Sequence, residues 1–112
     1  MKGTNLGEFE ELVLLTVGIL FDDAYGLAIT DELARQTGRK STISSIHKAL
    51  VRLEKKGYLS SYMGGNTKSR GGRQKRLYKI TQSGIDVLHQ TREIRNSMWG
   101  NIPKIVWGGG NL

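Results

Sequence analysis

Apolar positions near the start of the chain recur with a helical period. In "GEFEELVLLTVGILF", Gly7 to Phe21, the residues Phe9, Val13, Thr16 and Leu20 share one stripe, with Leu12, Leu15 and Ile19 beside it. That spacing predicts a helix with more apolar surface than one face, either central in its own domain or covered on its second side by a partner subunit. "DDAY" follows with turn and cap chemistry, in which Asp22 or Asp23 accepts bonds from the free N–H groups of a second helix. This helix is expected from about Ala24 to Thr37, with Ile29 and Leu33 facing inward and Gly38 as its left-handed end.

A third helix is predicted within "RKSTISSIHKALVRLEKKGYL", capped by Ser41 or Thr42 and stopped by Gly57. Its inner stripe is Ile43, Ile46, Leu50 and Leu53, at helical spacing, while Ser44, Ser45, His47, Lys48, Arg52 and Lys55 lie on the opposite face. "YLSSYM" and "RLYKI" are short, rich in aromatic and branched residues, and read as the arms of a hairpin. Their connection, Gly64 to Lys75, is longer than a hairpin needs, and loops of that length are usually functional or disordered. A last helix, "QSGIDVLHQTREIRNSMW", puts Val87, Thr91, Ile94 and Met98 on one stripe, with Ile85, Leu88 and Arg95 alongside. Gly100 and Pro103 close it, and "GNIPKIVWGGGNL" is a tail. The expected fold is mainly α with a small β-hairpin, and three helices followed by a hairpin make a winged helix-turn-helix.

A chain of 112 residues is the size of one domain. Such a domain buries roughly two thirds of its unfolded surface and needs no disulfide or metal to be stable. It has no cysteine, which excludes thiolate zinc sites and thiol redox chemistry and fits a reducing cytoplasm. The stretch "MKGTNLGEFEE" is acidic where a signal peptide is basic. The apolar run Leu12 to Phe21 is about half of the roughly 20 residues a membrane helix requires, so a cytoplasmic location is expected.

Charge sharpens the picture. The net charge is +7, but residues 1–38 hold two basic and seven acidic side chains, whereas residues 39–79 hold twelve basic and one acidic. A patch of that kind favours a polyanion, nucleic acid before an acidic membrane. A winged helix lays the start of its third helix in the major groove and its wing along the adjoining backbone. The candidates for the first task are Ser41, Thr42, Ser44, Ser45, His47, Lys48 and Arg52, small and polar at the helix start and basic further on. For the wing they are Lys68, Arg70, Arg73, Lys75 and Arg76, with "GGNTKSRGGRQKR" bringing cations to phosphates without bulk. Each feature alone has a plain alternative, a solvated basic face or a solubilising loop. The two in this order, separated by one strand, favour double-stranded DNA.

Other chemistry finds little support. His47 and His89 are the only histidines and have no carboxylates spaced with them for zinc. Capping accounts for Asp22 and Asp23, and the glycines at 64, 65, 71 and 72 lack the strand and the lysine spacing of a phosphate-cradling loop. No catalytic residue, metal or cofactor is expected, and the chain does not read as an enzyme.

"FEELVLLTVGILFDDAYGLAITDEL", "LVRLEKKGYLSS" and "RGGRQKRLYKITQSG" together resemble the PadR family of bacterial transcriptional regulators, over about Leu6 to Leu88. The resemblance implies a homodimeric winged helix that represses promoters by binding inverted repeats and is often released by a small molecule. It divides the chain into a DNA-binding domain (1–81), a C-terminal dimerisation helix (82–99) and a tail (100–112). Dimerisation in the family normally comes from the C-terminal helix packing on the partner's N-terminal helix, here through Phe9, Leu12, Val87, Thr91, Ile94 and Met98. Some members bind flat aromatic compounds between subunits, and Met98, Trp99 and Trp107 are candidates for such an effector pocket. Two features depart from the pattern. His47 stands where the family commonly has a tyrosine in the recognition helix, and the C-terminal region is short, as in the smaller subfamily. The rival reading is a winged-helix module whose basic wing meets an acidic protein; membrane binding lacks a basic amphipathic helix with aromatic anchors.

Overall fold

The computed structural model describes residues 6–64 and 74–108. Helix α1 spans Glu8–Leu20, and its first turn holds Glu8, Glu10 and Glu11, whose charges suit the positive end of the helix dipole. The Gly7 N–H donates to Glu10 Oε1 at 3.0 Å, so the third helical residue closes the N-terminus. The inward face is Val13, Leu14 and Val17, all essentially without solvent contact. That corrects the predicted stripe: Leu14 and Val17 enter the core, and Phe9 and Leu20 pack only partly buried at its edge. Leu15 and Ile19 remain exposed, in keeping with an apolar surface wider than one face.

A 3₁₀ turn over Phe21–Asp23 leads to α2, Gly26–Thr37. The helix begins two residues later than predicted, and the expected aspartate cap is absent: Tyr25 occupies the N-cap and makes no side-chain cap bond. The reason is that the segment is drawn onto the sheet. Tyr78 N donates to Ala24 O at 2.9 Å, and Tyr25 forms an isolated bridge with Leu77. Ile29 and Leu33 are fully buried, and Gly38, at φ 73°, ends the helix with its N–H on Ala34 O.

Helix α3, Ile43–Lys55, is capped by Thr42, whose hydroxyl accepts from Ser45 N at 3.0 Å. Ile46, Ala49, Leu50 and Leu53 form its buried face. Ile43 does not join them; it is 51% exposed, because the first turn projects past the core. Gly57, at φ 83°, turns the chain into β1, Leu59–Gly64, which pairs antiparallel with β2, Lys75–Ile80, in the register Leu59↔Ile80 to Gly64↔Lys75. Leu59 and Tyr78 join the helical core, and Leu77 is buried where β2 bridges to Tyr25. Each fully buried aliphatic side chain stabilises by roughly 1.5–3 kcal/mol, so this shared core holds hairpin and helices as one unit.

Thr81 then starts α4, Gln82–Gly100. Its hydroxyl accepts from Gly84 N at 3.1 Å and donates to Gly57 O at 2.6 Å, so one side chain caps the helix and ties it to the turn after α3. Only Gly84, Val87 and Thr91 of α4 are buried, and every residue from 92 to 100 is exposed. A second 3₁₀ turn, Lys104–Trp107, stacks Trp107 on Trp99 with centroids 5.2 Å apart and planes 10° from parallel. Among the described residues no helix is long and apolar enough to cross a membrane, and no cluster could hold a metal ion.

Candidate nucleic-acid interface

The start of α3 is an accessible polar surface. Ser44, His47 and Lys48 are exposed, and Ser41 and Ser45 are partly so. The Thr42 and Ser45 groups satisfy each other, since Ser45 N donates to Thr42 Oγ1 and Ser45 Oγ donates to Thr42 O at 2.9 Å. Ser45 Oγ therefore keeps its lone pairs as acceptors, and Lys48 makes no ion pair among the described residues. Ser44 and Lys48, four apart, lie on one helical face with His47 beside them.

Arg52, the last of the groove candidates, is engaged elsewhere. Its Nε donates to Glu10 Oε2 at 2.8 Å, and Lys56 Nζ donates to Glu10 Oε1 at 2.8 Å. Glu10 is 5% exposed. Burial alone would push its carboxyl up, but the bonds from Lys56, the Gly7 N–H and Arg52 outweigh that and hold it at about 2. A buried carboxylate thus locks the start of α1 to the end of α3. Sequence reasoning missed this residue because Glu10 sits in an acidic first turn that looks like dipole chemistry alone. Arg39 is likewise engaged, with Glu8 at 2.9 Å and over the Phe9 ring at 5.3 Å.

Lys68, Arg70 and Arg73 lie outside the described residues. Lys75 and Arg76 open β2 and border the α3 flank: with Tyr25, Ile43 and His47 they line an open cavity of about 320 Å³. Arg76 Nη1 donates to Ser61 Oγ at 2.9 Å, and that hydroxyl donates to Glu54 Oε2 at 2.8 Å. The hairpin is thereby braced on α3 through Glu54, Ser61 and Arg76.

The sequence model of the transcriptional regulator PadR-like family matches residues 14–90, well over half of the chain. The chain belongs to the PadR-like family. A PadR-like regulator is a transcriptional regulator of the winged-helix DNA-binding class and not an enzyme. Among solved structures, a PadR family transcription regulator from hypervirulent Clostridium difficile is similar at 26% identity, covering 84% of this chain and 93% of that one, with a TM-score of 0.68. A transcriptional regulator from Clostridium thermocellum is similar at 28% identity over 80% of this chain and 83% of that one, TM-score 0.63. RosR of H. salinarum, at 23% identity over 88% and 82% of the two chains, shares the fold with a TM-score of 0.68. No curated protein matches the chain significantly.

In this PadR-like chain the residues expected at a subunit interface divide into two sets. Val87 and Thr91 are buried within the single chain, with Phe9 and Leu12 half-buried against the same core. Ile94 and Met98 lie on the uncovered half of α4. Between α1 and α4 a second cavity, of about 450 Å³, is lined by Leu15, Ile85, Leu88, Trp99 and the Arg95–Glu11 pair. Of the three residues expected at an effector pocket, Trp99 lines this cavity, Trp107 lies on the Trp99 ring, and Met98 points elsewhere, 65% exposed.

Proposed function

We propose that this PadR-like regulator is a homodimeric, sequence-specific repressor that binds an inverted repeat in cytoplasmic DNA and is released by a small aromatic effector. Residues 1–81 bind DNA, 82–99 pair the subunits, and 100–112 form the tail. The observation that carries the DNA contact is the convergence of an exposed Ser44, His47 and Lys48 on α3 with Lys75 and Arg76 at the wing root. Polar groups short enough to reach base edges thus stand beside cations placed for phosphates. By sequence position alone, Lys68, Arg70 and Arg73, which lie outside the described residues, are further candidates for phosphate contacts.

Support for the dimer comes from the uncovered second half of α4 beside Leu15 and Ile19 of α1. An isolated amphipathic half-helix is not stable by itself, so an apolar stripe through Ile94 and Met98 calls for cover. A second copy supplies the complementary stripe by two-fold symmetry. The effector reading rests on the cavity of about 450 Å³ beside Trp99, within the range of ligand sites.

Selection of bound genomic fragments followed by sequencing tests this function. An enriched motif with two symmetric half-sites about one helical turn or more apart is expected. Recovery of unenriched DNA counts against specific recognition, and a single half-site counts against the dimer. Ile94→Glu should convert the protein to monomers in sedimentation velocity and abolish binding to the paired site.

A further inference from the structure

The cavity between α2, α3 and β2 has a construction that ordinary packing does not explain. Its lining joins apolar side chains, Ile43 and Leu50, to His47, Lys75 and Arg76. Lys75 Nζ stands 3.9 Å from the centre of the Tyr25 ring. At that distance the ring face attracts the ammonium, so the lysine has a preferred seat before any ligand arrives. Tyr25 is itself held from two sides. Its carbonyl accepts from Ile29 N at 2.8 Å in the first turn of α2, and its backbone bridges to Leu77 of β2. The next bond along, Tyr78 N to Ala24 O, fixes the same segment.

From this arrangement we infer that the cavity seats one backbone phosphate of duplex DNA, and that Tyr25 is a positioning residue which holds Lys75 aimed at it. The inference rests on the DNA-binding reading above and goes beyond it by naming a site and the residue behind it. Three observations carry it. The cavity mouth adjoins the exposed start of α3, because His47 lines it and Ser44 lies one turn before His47. Its lining combines cations with apolar side chains, which matches a phosphodiester and the deoxyribose beside it. Lys75 keeps its ammonium over the Tyr25 ring, so the loss of freedom in its long stem is already met in the free protein and capture of a phosphate costs less. The ring releases or shares the cation when the phosphate arrives, because a full negative charge outweighs a ring quadrupole.

The test uses the full chain, a fluorescent duplex of about 20 base pairs and anisotropy titrations across a salt series. Lys75→Ala should lower the slope of log affinity against log salt by about 0.9, the value for one lost phosphate contact. Tyr25→Phe should bind as the parent does, since the ring face remains. Tyr25→Leu should weaken binding several-fold in the parent and change nothing in the Lys75→Ala background. Equal losses in both backgrounds, or no loss in the parent, overturn the role of Tyr25 and leave the DNA reading intact. A parent protein that binds no duplex overturns both. Should Tyr25→Leu not fold, the ε-methylene protons of Lys75 decide: an upfield ring-current shift in the free protein, kept in Tyr25→Phe and reduced on adding duplex, is expected. Random-coil shifts in the free protein, or shifts that duplex leaves unmoved, overturn the inference. Inorganic phosphate at the same concentration should leave those protons unmoved; an equal response would reassign the seat to free phosphate and overturn the DNA assignment.

Discussion

Arg52 Nε donates to Glu10 Oε2 at 2.8 Å, across 42 residues of sequence. Through this bond, and the one from Lys56, the start of α1 and the end of α3 share a buried carboxylate. The Glu10 pKa is depressed from 4.5 to about 2 in the fold. A depressed carboxylate stabilises the folded state at every pH above its unfolded value, and that contribution fades as pH falls from about 4.5 toward 2. Its size is on the order of 3 kcal/mol. Thermal melts followed by circular dichroism should show the parent losing more stability than Glu10→Gln between pH 5 and pH 2.5. At pH 7 the variant should be the less stable of the two. Parallel pH profiles would remove Glu10 from this role.

Engagement with Glu10 also ranks the cations of α3. Lys48→Ala should lower the salt slope of duplex binding by about 0.9, as loss of one phosphate contact does. Arg52→Ala should lower it by less than half as much and chiefly cost stability, because it leaves Glu10 with one cation fewer. If the two variants changed the slope equally, Arg52 would be leaving Glu10 to reach DNA.

At the start of α4, Gly84 permits a close approach. A Cβ there would stand 2.3 Å from the Tyr58 carbonyl oxygen and 2.8 Å from Ile80 Cγ2. Alanine is the better helix former by about 1 kcal/mol, but the clash with backbone should reverse that and destabilise by roughly 1–3 kcal/mol. Urea denaturation of Gly84→Ala checks this. A stabilised variant would mean that α4 can shift off the hairpin without cost.

Thr91 Oγ1 is buried without a hydrogen-bond partner among the described residues. Valine has the same shape and no hydroxyl to desolvate, so Thr91→Val should raise stability by about 1 kcal/mol. A lowered melting temperature would reveal a bond to that hydroxyl in the assembled protein.

Much of this architecture was legible because local chemistry and tertiary packing agree. Gly38 and Gly57 adopt the positive φ that their places at helix ends suggest, and Ile29, Leu33, Ile46, Leu50 and Leu53 bury as their spacing predicts. Legibility failed where a distant segment outbid the local preference. Asp22 and Asp23 have the chemistry to cap α2, but the hydrogen bond from Tyr78 N to Ala24 O and the Tyr25–Leu77 bridge draw the chain into an extended path, and Tyr25 takes the cap position. Arg52 reads as a groove cation and Glu10 carries no assigned role until the fold brings them together.

By itself, then, the order of residues determined three helices, a hairpin and a final helix, a basic middle third, and the family. Hydrophobic period and cap chemistry act within a few residues and are written along the chain. Only the tertiary structure decided which cations pair with Glu8, Glu10 and Glu11, that Tyr25 lies beneath Lys75, and that half of α4 lacks cover among the described residues. Those depend on which side chains meet across long sequence separations, where geometry and burial rather than residue type set the outcome.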